Sequence, residues 1–390
     1  MAEREPGARR PDASGRPPFP FLVSSGRAGT TLLRAMLNAH PEMSVPPETF
    51  FVMRLLPDRE RWEAADGFDV ERFVSDILVN DRFSRWELPE NIVREGVTER
   101  RPEDYSGAIR SLYALYAARA GKRRYADKTP VYIYEIPELA EAFPEAVFVH
   151  VIRDARDVAP ALVEMDVRPN GLPEAALLWR ERVDAGLTAG RELGPGRYLE
   201  LRYEDLVAEP EAALRRLCEF IALDYDPAML RYPETASEVA ARDGGAERHR
   251  GIFLEPTTGL RDWRRDLSAE DVEVIELLAG DTLAALGYEL ATDTAWAPER
   301  PAVGALALDL ERLRVETLAT EAKLRARARK RREELEQERR VVRRLRRRLE
   351  REDGDDEEPE SDDAAIPPSE RARSVRLRER VRDAMSRLRS

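Results

Sequence analysis

The sequence predicts a three-layer α/β/α domain with a central, mostly parallel sheet and a P-loop-like phosphate-binding loop, followed by a long C-terminal helix. Three observations lead there. From Phe19 to about residue 290, short apolar runs alternate with amphipathic helical stretches, the pattern of strands joined by helical crossovers. One run, "AVFVHVI", is almost continuously apolar, as expected of a strand covered on both faces. In "FLVSSGRAGTTLLRAML" an apolar strand passes through a glycine-containing turn into a helix. That arrangement points backbone N–H groups and the positive helix end at an anion.

Residues 1–18, "MAEREPGARRPDASGRPP", carry charge and proline without an apolar segment, so they read as a disordered leader and not as a secretory signal. Strands are expected at "FPFLVSS", "RRYADK", "AVFVHVI" and "RYLELR". Helices are expected over 105–120, 131–143, 173–192 and 209–221. A further helix spans "SAEDVEVIELLAGDTLAALGY", where Ser268 supplies the N-cap, Glu270 and Asp271 an acidic first turn, and Gly287 the stop. The main domain is thus 19–292. Residues 303–352 form an Arg/Glu-rich helix with apolar residues at Leu310, Leu313, Leu324, Leu335, Val342, Leu345 and Leu349, compatible with a weak coiled coil or a solvated single helix. Residues 353–370 read as an acidic disordered linker. Residues 371–390 read as a basic amphipathic tail that an anionic membrane, a partner or the neighbouring linker would suit.

The net charge of -12 argues against general nucleic-acid binding. No apolar run approaches the ~20 residues of a membrane span. Cys218 is the single cysteine, which excludes an internal disulfide and any multi-cysteine metal site. The simplest expectation is a cytoplasmic chain. Lysine occurs only at positions 122, 128, 323 and 330, so Lys128 in "DKTP" stands out against an arginine background.

In the loop, Gly26 and Gly29 let the backbone approach a ligand closely, and Thr30 and Thr31 add hydroxyl donors. Gly29 occupies the place where a nucleotide-hydrolysing P-loop has its lysine, and Arg27 comes earlier. The loop alone fits either a phosphate cradle or a tight strand-to-helix turn.

Its surroundings are more specific. "GRAGTTLLRAMLNAHPEMSVPPETFF" closely resembles the opening of the sulfotransferases that use 3'-phosphoadenosine 5'-phosphosulfate (PAPS), most of all the tyrosylprotein sulfotransferase branch and its bacterial relatives. "FVHVIRDARDVAPALVEM", "YLELRYEDLVAEPEAALRRLCEFIAL" and, more weakly, "TTGLRDWRRDLSAEDVEVIE" follow in the family's order. The resemblance covers roughly residues 19 to 290. It implies in-line transfer of a sulfonyl group from PAPS to a hydroxyl acceptor of unknown class, with 3'-phosphoadenosine 5'-phosphate (PAP) as product. It needs no metal, because arginine and lysine neutralise the developing charge.

The resemblance also implies residue roles. Arg27, the Ala28 and Gly29 backbone, Thr30 and Thr31 hold the 5'-phosphate end. Arg153 grips the 3'-phosphate, with Tyr203 near the adenosine phosphate. Lys128 meets the sulfonate oxygens, and Glu48 is the general base for the acceptor hydroxyl. Arg261 and Trp263 are candidates to close over the cofactor. Each residue also has a plainer reading: Lys128 as a turn lysine, Glu48 as a cap or ion-pair partner, Arg153 as tied to Asp154 or Asp157, Tyr203 as a core aromatic. His40 and His150 read as structural, and His249 as a loop residue.

Three positions depart from the family pattern. Ala28 and Ala161 stand where serines are usual, and Asp262 replaces a basic residue. The Ala161 change removes a hydroxyl contact worth about 1–2 kcal/mol, with Arg156, Arg168 or a water as replacements. The acceptor is expected to be read by loops such as 53–104. Two other readings are a kinase of related fold, disfavoured by the missing Gly-Lys-Ser/Thr, and a non-catalytic scaffold acting through the C-terminal helix. That helix is also a candidate homodimer interface.

Overall fold

The computed structural model describes residues 15–64, 67–165, 169–237, 239, 253–254 and 261–292. The chain divides into two units, Met1–Ala307 and Leu308–Ser390. The expected long helix, acidic linker and basic tail lie outside the described residues, as do leader residues 1–14, Arg168 and His249.

Strand β1 (Phe19–Ser24) is buried along its whole length and leads into helix α1 (Thr30–Ala39). There follow β2 (Met43–Ser44), α2 (Phe51–Leu55), the short hairpin strands β3 (Glu63–Ala64) and β4 (Gly67–Phe68), α3 (Val70–Leu78), α4 (Glu90–Arg100) and α5 (Tyr105–Arg119). Next come β5 (Arg124–Tyr125), β6 (Asp127–Lys128), α6 (Ile136–Ala142), β7 (Ala146–Ile152), α7 (Ala155–Val163) and α8 (Leu172–Leu193). Then follow β8 (Tyr198–Arg202), α9 (Tyr203–Ala208), α10 (Pro210–Phe220), α11 (Trp263–Asp266) and α12 (Ala269–Ala285).

The central sheet has the order β6-β1-β7-β8, and every pairing in it is parallel. Side chains alternate between its two faces, as the two-residue period of a strand requires. Phe19, Phe21 and Val23 of β1 and Phe148 of β7 enter one core with residues of α2 to α6. Leu22 of β1, Val147, Val149 and Val151 of β7, and Leu199 and Leu201 of β8 enter a second core with α1, α9 and α10. The sheet is therefore covered on both sides, an α/β arrangement. Because the strands run in one direction, the loops after Ser24, Lys128, Ile152 and Arg202 all emerge at the same edge, where open parallel sheets bind ligands.

Three local expectations need correction. "RRYADK" is two short strands, with β5 pairing β2 in a separate sheet and only β6 joining β1. The helix expected over 131–143 is a 3-10 turn, Pro130–Tyr134, followed by α6. Pro137 lacks the N–H that a continuous helix would need there, so it opens a new first turn instead. The 53–104 region is not loop alone, since it carries α3 and α4 and most of α2. The Ser268 cap is present as a full capping box with Asp271.

Candidate active site

The loop between β1 and α1 takes three left-handed backbone conformations, at Gly26 (φ 87), Arg27 (φ 54) and Gly29 (φ 96). Glycine adopts this region without penalty, whereas Arg27 holds it at a cost of about 1 kcal/mol or more. Ser24 Oγ accepts the Gly26 N–H at 3.0 Å, and Arg182 Nη1 of α8 donates to the Ser25 carbonyl at 2.7 Å. Helix α1 has no side-chain cap and no acidic residue in its first turn. Its orphan N–H groups and positive end, with Thr30 and Thr31, thus face no carboxylate of their own helix.

Gly29 is constrained by space as well as by backbone. A Cβ there would lie 2.7 Å from Tyr203 Cε2. The same ring also meets Arg153, whose Cζ sits 4.2 Å from the Tyr203 ring centroid. The ring thus joins three of the expected cofactor residues, which come from the loops after β1, β7 and β8. Arg153 is 8% exposed. Its Nη2 reaches Asp157 Oδ2 at 3.3 Å, and its Nε is buried without a hydrogen-bond partner among the described residues. The ion pair with Asp157 is therefore real, yet it leaves guanidinium donor capacity unused, as a phosphate site requires. Trp179 Nε1 donates to the Arg153 carbonyl at 2.9 Å and fixes the backbone there.

Asp157 Oδ1 accepts the Trp263 N–H at 3.0 Å, which ties the C-terminal segment to this arginine. Burial raises the Asp157 carboxyl above its ordinary range, against a downward pull from Arg153. The Trp263 ring is flanked by guanidinium groups, Arg156 at 3.8 Å and Arg264 at 4.4 Å. Arg261 is ion-paired with Glu164 at the end of α7. That hydrogen bond lowers the Glu164 carboxyl, with a smaller contribution from the positive charge of Arg27. Asp262, the departure from the family pattern, caps α11 by accepting the Arg264 N–H at 3.1 Å.

Ala161 is buried in α7. Arg156 does not replace the missing hydroxyl. Its donors go to both Asp154 oxygens, to Glu276 Oε1 at 2.6 Å and to the Glu289 carbonyl at 2.9 Å. It is a structural arginine that anchors α12 to α7.

Glu48 Oε1 and Lys128 Nζ are 2.8 Å apart, with Lys128 2% and Glu48 31% exposed. Lys128 pairs with Leu22 across the sheet. Ser25, just past the end of β1, lies three residues beyond Leu22, about 10 Å at ~3.3 Å per residue. Behind the pair is a buried polar cluster that the sequence did not single out. Asp127 Oδ2 accepts from Tyr113 at 2.6 Å, Thr49 Oγ1 at 2.9 Å and Thr129 Oγ1 at 3.3 Å. Burial pushes the Asp127 carboxyl up to about 6, although the three hydroxyl donors pull it down and Glu48 adds to the rise. Nothing in the local pattern marks Thr49 and Tyr113 as its partners, because they are distant in sequence.

Two histidines are structural. His40 Nδ1 accepts the Glu42 N–H at 3.0 Å, so its Nε2–H donates to the Asp224 carbonyl at 2.8 Å. His150 lies 2.5 Å from the Tyr198 hydroxyl, and burial pushes its pKa down to about 3. A cavity of about 440 Å³ lined by Arg100, Arg110, Arg124 and Glu145 lies at the opposite sheet edge, where β1 and β7 begin. It is therefore remote from these loops.

Protein-tyrosine sulfotransferase A of Caenorhabditis elegans is 28% identical over 224 residues, 56% of this chain and 53% of that protein. This chain thus spans about half the length of that relative. Nodulation protein NoeE of Sinorhizobium fredii is 27% identical over 301 residues, 71% of this chain and 68% of that protein. Among solved structures, the sulfotransferase domain from the Synechococcus PCC 7002 olefin synthase aligns with a TM-score of 0.45 and 23% identity, covering 73% of this chain and 99% of that one. Residues 18–227, more than half of the chain, match the model of the sulfotransferase family, and the protein belongs to that family.

Proposed function

We propose that this protein transfers the sulfonyl group of PAPS to a hydroxyl acceptor. The observation that carries this reading is the junction of Gly29, Tyr203 and Arg153 at the sheet edge that also presents Glu48 and Lys128. The residues fit the donor: Arg153 Nε is a buried donor without a partner among the described residues, and Gly29 admits no side chain. Arg27, the Ala28 and Gly29 backbone, Thr30 and Thr31 would hold the 5'-phosphate end, and Arg153 the 3'-phosphate, with Tyr203 between them.

When bound, PAPS supplies a sulfonyl group whose departure adds negative charge to the nucleotide. Lys128, nearly dry, neutralises charge far more effectively than a solvated lysine does. Glu48 is the half-open member of the pair, placed to take the acceptor hydroxyl proton while Lys128 stays at the sulfonate oxygens. Arg27, at the head of the loop, meets the oxygens of the leaving nucleotide.

Calorimetric titration with PAP, with ATP as control and no metal added, tests the donor assignment. Micromolar PAP binding without an ATP response is expected, and absence of PAP binding rejects it. Ala161 favours a second reading, a retained fold with weakened donor binding that acts as a scaffold.

A further inference from the structure

Glu48 and Lys128 come from segments 80 residues apart, yet they meet at ion-pair distance. We propose that Asp127 is the positioning residue that holds them together, as the single acceptor on which the hydroxyl groups of both segments converge. This rests on the sulfonyl-transfer reading for its rate effects, but not for its geometry.

The residues next to the pair make the connection. Thr49, which follows Glu48, donates its backbone N–H to Thr129 Oγ1 at 3.1 Å. Thr129 follows Lys128, and its hydroxyl donates to Asp127 Oδ2. Thr49 Oγ1 donates to the same oxygen, so it accepts from the Tyr132 hydroxyl 2.9 Å away. That hydroxyl in turn accepts the Met53 N–H at 3.4 Å. The Tyr113 hydroxyl of α5 makes the third bond. Every hydrogen in these chains points toward Asp127 Oδ2. An ionised carboxylate fits because it accepts only. Thr49, Thr129, Tyr113, Tyr132 and Asp127 are all at most 2% exposed, so water cannot replace a lost acceptor, and a broken chain leaves hydroxyls unsatisfied.

The network thus brackets the loop carrying Glu48 to the strand end carrying Lys128. Asp127 Oδ1 has no partner among the described residues. A side-chain amide therefore fits the site, with its oxygen toward the three donors. An apolar side chain of similar size removes the acceptor altogether. The variants separate a bracket from a general stabiliser.

The experiment compares Asp127→Leu, Asp127→Asn, Thr49→Val and Thr49→Ser with the wild type. It measures turnover of PAPS with tyramine as a phenolic acceptor, PAP affinity by calorimetry, and the Glu48–Lys128 separation in crystal structures. D127L and T49V are expected to lower kcat by roughly 10–100-fold, the effect of a misplacement of about 1 Å. PAP affinity should stay within about twofold, since donor binding lies elsewhere. D127N and T49S should restore most of the rate. If D127L does not fold, T49V carries the test. An unchanged kcat in T49V, or equal losses in T49V and T49S, overturns the proposal. If the wild type does not turn over tyramine, the rates give no comparison and the structures decide. A 2.8 Å pair retained in T49V then overturns the bracket, and a separated pair supports it.

Discussion

The ring of Tyr203 lies so close to the backbone of Gly29 that no side chain fits between them, a Cβ at Gly29 falling 2.7 Å from Cε2. The same ring carries the Arg153 guanidinium, its Cζ 4.2 Å from the centroid. The loop after β1, the end of β7 and the start of α9 thereby meet at one aromatic ring.

Gly29→Ala is expected to disable donor binding. The left-handed conformation alone costs an alanine about 1 kcal/mol, and the methyl group must displace a ring held by Arg153. PAP affinity should fall at least tenfold while the domain stays folded by circular dichroism. Wild-type affinity in this variant would show that the Tyr203–Gly29 contact is incidental to the site.

Ala161→Ser tests the departure in α7. If the hydroxyl reaches the 3'-phosphate, it should add about 1–2 kcal/mol of binding, within the net range of a hydrogen bond. PAP affinity should rise about 5–30-fold, measured by calorimetry. No gain would mean that the phosphate is already satisfied without it.

Removing charge from either half of the site should separate binding from chemistry. Arg153→Ala is expected to weaken PAP binding by about 2–5 kcal/mol, the cost of truncating one partner of a hydrogen-bonded charge pair. Glu48→Gln should lower kcat with little change in PAP affinity. Retained turnover in the glutamine variant would assign the proton to another group.

Stability against pH should report His150. Its folded pKa, about 3, lies below the ordinary 6.5, so between those values the unfolded chain binds a proton that the folded one does not. Stability should therefore rise with pH through this window and fall on acidification, by several kcal/mol at most at ~1.4 kcal/mol per unit. Asp127 acts in the opposite sense. Its pKa is raised from 3.8 to about 6, so its contribution is present below 3.8 and lost as pH rises through 6. His150→Gln should flatten the acid loss and Asp127→Asn should steepen it, read from urea midpoints at pH 4, 5 and 7. Identical slopes in all three proteins would show that neither group is buried as described.

Much of the site's framework was legible because it is local. The apolar run of β7, the strand-to-helix passage through Gly26 and Gly29, and the Ser268 capping box each follow from neighbouring residues and their own dihedral preferences. The breaks at Ala126 and Pro137 were missed for two reasons. Register against a distant strand decides where β5 gives way to β6, and a proline tolerated in a first turn does not announce which helix it begins.

What the sequence determined by itself was the strand and helix periodicity, the glycine positions and the family resemblance, with the candidate site residues that it implies. Only the tertiary structure decided which of those residues are committed elsewhere and which remain available. Arg156 and Arg153 stand three residues apart in one motif, yet one is consumed by Asp154 and Glu276 and the other keeps an Nε without a partner among the described residues. Likewise, Thr49 and Tyr113 become partners of Asp127 only once the sheet register brings their segments together. The physical reason is the same in each case: a buried polar group must find its partners wherever packing places them, and that placement depends on contacts distant in the chain.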